Sequence, residues 1–251
     1  MRDVPTVLAA LAPIPDADFA EFGEFEIIPL SKIQRLTGAF LGRNWVTIPH
    51  VTHHDEVDVT EAEARRSAWN AEHPDARITP VALQIAAIGR ALLEYPRFNG
   101  SFTADGATFV QKRYVNVGVA VDTPNGLLVP VLRAVDTKSL TEIASELTAL
   151  ADKARNKGLP LAEMSGGSMT LSSLGHIGGT GFTPIINNTE VAILGTTAIQ
   201  VRPFPAPDGG IAWRKMLPCS LSYDHRVING ADAARFIASV AATFADPSLF
   251  A

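Results

Sequence analysis

The 251-residue chain has one cysteine, Cys219, so no disulfide can close within it. A lone thiol fits a reducing compartment. Positive charge is also scarce: 21 Lys and Arg stand against 26 Asp and Glu, for a net charge of −5. A nucleic-acid binder carries a basic footprint, and this chain shows none. No run of 18 apolar residues occurs, so no segment reads as a membrane-spanning helix. The opening MRDVPTVLAALAPIPDADF breaks its short apolar run with prolines and acids and has little positive charge before it, unlike a secretory signal. The expected location is the cytoplasm, or an organelle reached after processing. Three catalytic signatures are missing too. There is no Gly-Lys-Ser/Thr phosphate loop, no GxGxxG dinucleotide fingerprint and no GxSxG nucleophile elbow.

What is present is enough apolar residue, 47% of the chain, to bury a sizeable core as one large domain or two small ones. Residues 1–24 read as a linker or N-terminal arm. They are rich in Pro, Ala and Asp, with Phe19 and Phe22 spaced as if to pack on something. Residues 25–251 read as the globular unit. Capping-box pairs mark helix starts at Ser31/Gln34, Thr60/Glu63 and Ser139/Glu142, and Thr79-Pro80 marks a fourth. The helix after Pro80, VALQIAAIGRALLEY, is apolar almost all round and should be buried. A last helix after Gly230 puts Phe236, Ile237, Val240, Ala241 and Phe244 on one face. Strands are expected in WVTIPHVTHHDEVDV, YVNVGVAVDT, LLVPVLRAV, SMTLSS, EVAILGTTAIQV and MLPCSLSY, with a turn at Pro124-Asn125-Gly126. Helices and strands mix without a strict alternation. The expected class is α+β, a sheet covered on one face by helices.

Four places could carry chemistry. Asp224, His225 and Arg226 follow an apolar strand and precede a helix, where reactive groups are commonly presented, and a histidine can accept and return a proton near neutral pH. An ordinary structural histidine beside an ion pair fits the same spacing. The glycine-rich stretch 166–187 offers Ser172 or Ser173 as a hydroxyl for a developing oxyanion, or is only a turn between strands. His50, His53, His54 and Asp55 resemble metal ligands, yet on a strand His53 points away from His50 and His54, so a polar sheet surface explains them without a metal. Cys219, within an apolar strand, reads as inert packing rather than a nucleophile.

LSYDHRVING resembles the Asp-His-Arg-x-x-(Asp/Asn)-Gly signature of the dihydrolipoamide acyltransferases, the core components of the 2-oxo acid dehydrogenase complexes. IPLSKIQRLTGAFLGRNWVTIPHVTHHDEVDVTEAEA, ALLEYPRFNGSF, YVNVGVAVDTPNGLLVPVLR and GGSMTLSSLGHIGGTGFTPIINNTEVAILG resemble the same catalytic (core) domain, in order, over residues 20–246. RNWVTIPHVTHHDE is most like the acetyltransferase of bacterial pyruvate dehydrogenase complexes. The resemblance implies a chloramphenicol-acetyltransferase-like two-layer sandwich, a mixed sheet covered by helices, working as a trimer in the bacterial cytoplasm. It implies acetyl transfer between coenzyme A and a dihydrolipoyl group. His225 would be the general base and Ser172 the oxyanion donor, with Asn229 at the Asp/Asn position acting by hydrogen bonding rather than charge. Asp224 and Arg226 would hold the loop, and Gly230 would free the backbone to enter the last helix. The base of one subunit would face the hydroxyl of its neighbour.

The resemblance also implies a possible 24-subunit cage. Decarboxylase and dihydrolipoamide dehydrogenase partners would be held through lipoyl and binding domains preceding this region in a longer chain. Acyl specificity stays open among acetyl, succinyl and branched groups. A non-catalytic scaffold, an antibiotic-type O-acetyltransferase and an unrelated serine hydrolase are the competing readings. The first is opposed by His225 and Ser172 both being present, the second by Asp224 standing where a second histidine would.

Overall fold

A computed structural model of the chain describes residues 15–124, 126–187 and 189–250. Among the described residues, five α-helices and eleven strands make an α+β fold. The helices are α1 (Lys32–Thr47), α2 (Thr60–Glu72), α3 (Pro80–Glu94), α4 (Leu140–Lys157) and α5 (Gly230–Ala245). Capping chemistry sets most of the starts. Ser31 and Ser139 each accept from the backbone three residues on, while Gln34 and Glu142 reach back, closing two capping boxes. Thr79 caps α3, with Pro80 at its first position. The pair expected at Thr60/Glu63 does not form. Val59 holds the cap position with no side-chain bond, and the Thr60 hydroxyl turns to the Asp58 carboxylate instead. Val59 is still tied to the sheet through Lys215, so the chain enters α2 directly from a strand.

The strands are β1 (His50–Asp58), β2 (Gly100–Phe102), β3 (Phe109–Gln111), β4 (Val117–Val119), β5 (Val121–Thr123), β6 (Gly126–Leu128), β7 (Val131–Leu132), β8 (Met169–Ser173), β9 (Ala192–Thr196), β10 (Gln200–Pro205) and β11 (Ile211–Asp224). Trp45, Val46 and Thr47, expected in a strand, are helical. α1 continues through them because Asn44 is buried and its amide donates to the Ile186 carbonyl, a tertiary tie that outweighs local β-propensity. Each of the two central valine-rich runs is split in two, so β4 and β7 enter the main sheet while β5 and β6 form a separate ribbon. Asn125 of the expected turn and residues 1–14 of the arm lie outside the described residues. The arm from residue 15 to 30 is exposed, with one short turn at Phe19–Glu21 capped by Asp18.

The main sheet runs β1-β11-β9-β8-β4-β7, with β10 also pairing with β11. It is mixed: β4–β8 and β8–β9 are parallel, the other pairs antiparallel. Residues in register share a face, which sorts the sheet into two chemistries. One face carries Leu171, Leu194, Leu221, Tyr223 and Val57, buried with α3 and α5. Leu83, Ile85, Ile88 and Leu92 of α3 are fully enclosed there, each contributing about 1.5–3 kcal/mol by leaving water. Phe236 of α5 stacks on Phe98 with ring centres 4.3 Å apart. The opposite face is polar. It presents Thr170 and Ser172 of β8, Gly195 of β9, Ser220 and Ser222 of β11, and Thr52 and His54 of β1.

Candidate active site

β11 is buried from Met216 to Asp224 and then ends abruptly. The turn that follows is braced by one carboxylate. Asp224, whose side chain is 1% exposed, accepts from the backbone N–H of Arg226 at 3.1 Å and from its guanidinium at 2.9 and 2.5 Å. Those bonds hold the Arg226 cation well above the ordinary arginine range. The guanidinium also lies 4.2 Å from the centre of the Phe102 ring, a cation–π contact that ties the turn to the β2–β3 hairpin. Ile228 is buried, and its backbone N–H donates to the Asp224 carbonyl at 3.1 Å. The residue between these anchors, His225, has its backbone fixed by the Pro49 carbonyl at 3.1 Å, and its ring stands exposed. It opens on a cavity of about 520 Å3 shared with Arg97, Arg226 and Asn229.

Asn229 ends the turn. Its side-chain oxygen accepts from the Asp232 N–H at 2.9 Å, and Asp232 reaches back to the Asn229 N–H at 3.5 Å. This closes a third capping box, which sequence reading missed because its acceptor is Asn/Asp rather than Ser/Glu. Gly230 does not serve as the conformational hinge expected of it. It is the first residue of α5, and the extended backbone that turns the chain belongs to Asn229.

Ser172 lies elsewhere. It points from β8 into a groove of about 1020 Å3 whose walls include Phe40 of α1, Leu127 of β6, Thr170, Phe182 and Ile193. Gly195 is its register partner, and the close approach explains the glycine: a Cβ there would stand 2.7 Å from the Phe182 ring. Ser173 faces the opposite way, into a separate cavity of about 750 Å3 with His176 and Thr197. The off-by-one choice between the two serines is therefore a choice between two faces of the sheet.

The histidines of β1 hold the glycine-rich segment across the polar face. His50 accepts from the Ile186 N–H at 3.1 Å while its other ring nitrogen meets the Ile48 carbonyl at 2.9 Å. His54 pairs with the Ser220 hydroxyl at 2.9 Å, and Ser220 is 3.4 Å from the Phe182 N–H. His53 stands 4.0 Å from Asp55 on the other side of the strand. Cys219 is buried, and burial beside Asp55 pushes its thiol up to about 12, so it stays protonated and un-nucleophilic at neutral pH. Lys112 and Glu190, a buried base and a buried acid 78 positions apart, were invisible in the sequence because no local pattern joins them.

The 2-oxoacid dehydrogenases acyltransferase (catalytic domain) family model matches residues 22–251. The dihydrolipoyllysine-residue acetyltransferase components of the pyruvate dehydrogenase complexes of Haemophilus influenzae and Pseudomonas aeruginosa are each 48% identical over 241 residues. Those alignments cover 94% and 95% of this chain but 42% and 44% of the relatives, so the chain spans under half their length. Among solved structures, the dihydrolipoamide acetyltransferase of Azotobacter vinelandii is 45% identical with a TM-score of 0.91, covering 96% of this chain and 100% of that one. That structure addresses the role of a serine, a histidine and an asparagine in the catalytic mechanism of the Azotobacter protein. The cubic core of the pyruvate dehydrogenase multienzyme complex gives the same identity, TM-score and coverage. Chloramphenicol acetyltransferase, 18% identical with a TM-score of 0.60 over 81% of this chain and 94% of that one, shares the fold. With a family match over nearly the whole chain and relatives at 48% identity, the chain belongs to the catalytic-domain family of the 2-oxoacid dehydrogenase acyltransferases.

Proposed function

We propose that the chain transfers an acetyl group between a dihydrolipoyl thiol and coenzyme A, as the catalytic core of a bacterial pyruvate dehydrogenase complex in the cytoplasm. The observation that carries this reading is the braced, outward-facing His225, on a chain whose relatives are named acetyltransferases. A free thiol has a pKa near 8.5, so at neutral pH it needs a base to attack well. His225 takes the thiol proton of coenzyme A or of dihydrolipoamide. The thiolate adds to the acetyl carbonyl, and the tetrahedral oxyanion receives a hydrogen bond from a serine hydroxyl. The intermediate collapses, the second sulfur leaves as a thiolate, and His225 returns the proton to it. No net proton is consumed.

Ser172 is the donor in this scheme. In the Azotobacter enzyme the asparagine follows the histidine by four positions, as Asn229 follows His225. Counting back to the serine would favour Ser173, but chain length changes in turns while the face of a strand does not. Ser172 is on the face away from α3 and α5, in the groove walled by α1, β6 and the glycine-rich segment, and we assign the donor role to that face. Within one chain the base and the donor open onto different cavities, so the complete site forms between subunits of a trimer. We propose further that the trimers assemble into a 24-subunit cage, a reading supported by the likeness to a chain solved as the cubic core of the pyruvate dehydrogenase multienzyme complex. Decarboxylase and dihydrolipoamide dehydrogenase partners belong to the same complex.

Acetyl transfer from acetyl-CoA to free dihydrolipoamide tests the reading, with succinyl-CoA and isobutyryl-CoA as alternatives and native mass spectrometry for the assembly. Preference for acetyl, with a loss of about 10²–10⁴-fold in His225→Ala, is the expected result. A folded trimer that transfers none of the three groups would make the chain a scaffold.

A further inference from the structure

The polar face that carries Ser172 also buries a carboxyl group and an ammonium group that the chemistry above does not use. Glu190 and Lys112 are 5% and 9% exposed. They meet across one peptide. The Lys112 ammonium donates to the Gly167 carbonyl at 2.7 Å, and a Cβ on Gly167 would stand 2.5 Å from Glu190 Oε1. The same carboxyl reaches toward β4 and β8. A Cβ on Gly118 would lie 3.8 Å from Glu190 Oε1 and 3.0 Å from the Thr170 hydroxyl. Gly118 is the register partner of Thr170, and Thr170 stands two residues before Ser172 on the same face.

Two glycines thus clear a space for a charged group that the core does not need. Among the described residues neither Glu190 Oε2 nor Thr170 Oγ1 meets a partner with full hydrogen-bond geometry, although the Glu190 carboxyl lies close enough to Thr170 and Asn187 for both to favour its charged form. An arrangement of this kind lowers stability, and well-packed apolar residues of the same volume would serve the fold at least as well. Its benefit lies in geometry. Lys112, Gly167, Glu190 and Thr170 form a chain of contacts that ends one strand pleat, roughly 7 Å, from the Ser172 backbone. It locks β8 against β4 beside the residue whose hydroxyl must meet the oxyanion within a few tenths of an ångström.

We propose that Glu190, backed by Lys112 through the Gly167 peptide, is a positioning residue that acts through Thr170 to aim Ser172. The proposal rests on the assignment of Ser172 as oxyanion donor. A double-mutant cycle in the assembled enzyme separates the two, measuring kcat and KM for acetyl-CoA and dihydrolipoamide in Glu190→Gln, Ser172→Ala and the double variant. Glu190→Gln should lower kcat about tenfold with both KM values unchanged, since small misplacements of catalytic groups act on kcat. In the Ser172→Ala background the same substitution should change kcat less than twofold. Equal losses in both backgrounds, or no loss in the single variant, would overturn the proposal while leaving Ser172 in its role. Full activity in Ser172→Ala alone would overturn the assignment of the donor and the proposal with it. If Glu190→Gln does not assemble, Thr170→Val replaces it in the cycle. That variant removes the mediating hydroxyl at constant volume, and the same coupling is expected of it.

Discussion

Ser172 and Ser220 are in register across β9, each opposite Gly195, and His225 follows Ser220 by five residues, just past the end of β11. At 3.3 Å per residue and 4.8 Å between strands, that puts His225 roughly 19 Å from Ser172 in the same chain, far beyond any shared substrate atom. Two variants inactive for different reasons should therefore complement each other. On the proposed site between subunits, hybrids co-expressed from His225→Ala and Ser172→Ala subunits should recover about a quarter of wild-type activity, since one interface in four would pair an intact base with an intact donor. Hybrids as inactive as their parents would place both residues in one chain's site.

The two serines should separate cleanly. Ser172→Ala should lower kcat by about 10²–10³-fold with KM nearly unchanged, as expected for an oxyanion donor. Ser173→Ala, on the opposite face with His176, should stay within a few fold of wild type. A steady-state comparison settles which face matters.

Asn229 caps α5, so its removal should appear as lost stability as well as lost rate. Asn229→Ala should cost about 1 kcal/mol, read from denaturant midpoints at constant m-value. Asn229→Asp keeps an acceptor at the helix N-terminus and should restore the stability. A variant Asn229→Ala as stable as wild type would remove the capping role.

Burial pushes the Glu190 carboxyl up to about 7 from an ordinary 4.5, against the opposing pull of Thr170 and Lys112. Between those values the folded chain binds more protons than the unfolded one, so stability falls as pH rises. The contribution is full below pH 4.5 and lost once pH has risen through about 7. Thermal midpoints should decline across this window in the wild type. Glu190→Gln should show a flatter profile and exceed the wild type at pH 8. Parallel profiles would show that Glu190 does not titrate there.

Much of this architecture was legible where its cause is local. The boxes at Ser31 and Ser139 and the Thr79-Pro80 start need only residues three apart, and they form as read. The apolar α3 is buried because an all-round apolar helix has no other stable place. Reading failed where a competing contact decided, whether two residues away or far along the chain. Thr60 is drawn away from its box by Asp58, and Trp45 to Thr47 stay helical because Asn44 is pinned to Ile186. The site divides the same way. His225 and Asn229 came with the family signature and Ser172 with the wider resemblance of the glycine-rich stretch, whereas the pairing of Lys112 with Glu190 is set by chain topology. No periodicity predicts it.

The contact between Arg226 and Phe102 also bears on where this protein tolerates extra sequence. The hairpin that carries Phe102 closes on itself, with Thr103 and Thr108 bonded to each other and Asp105 receiving Ala107. A peptide tag or fluorophore attachment site spliced between Asp105 and Ala107 lengthens a self-sufficient tip and leaves the ring where it is. One residue inserted before Phe102 swings that ring off the guanidinium, and the histidine turn loses its lateral support. A short segment more than a hundred positions upstream thus holds a point of fragility and a point of latitude only a few residues apart.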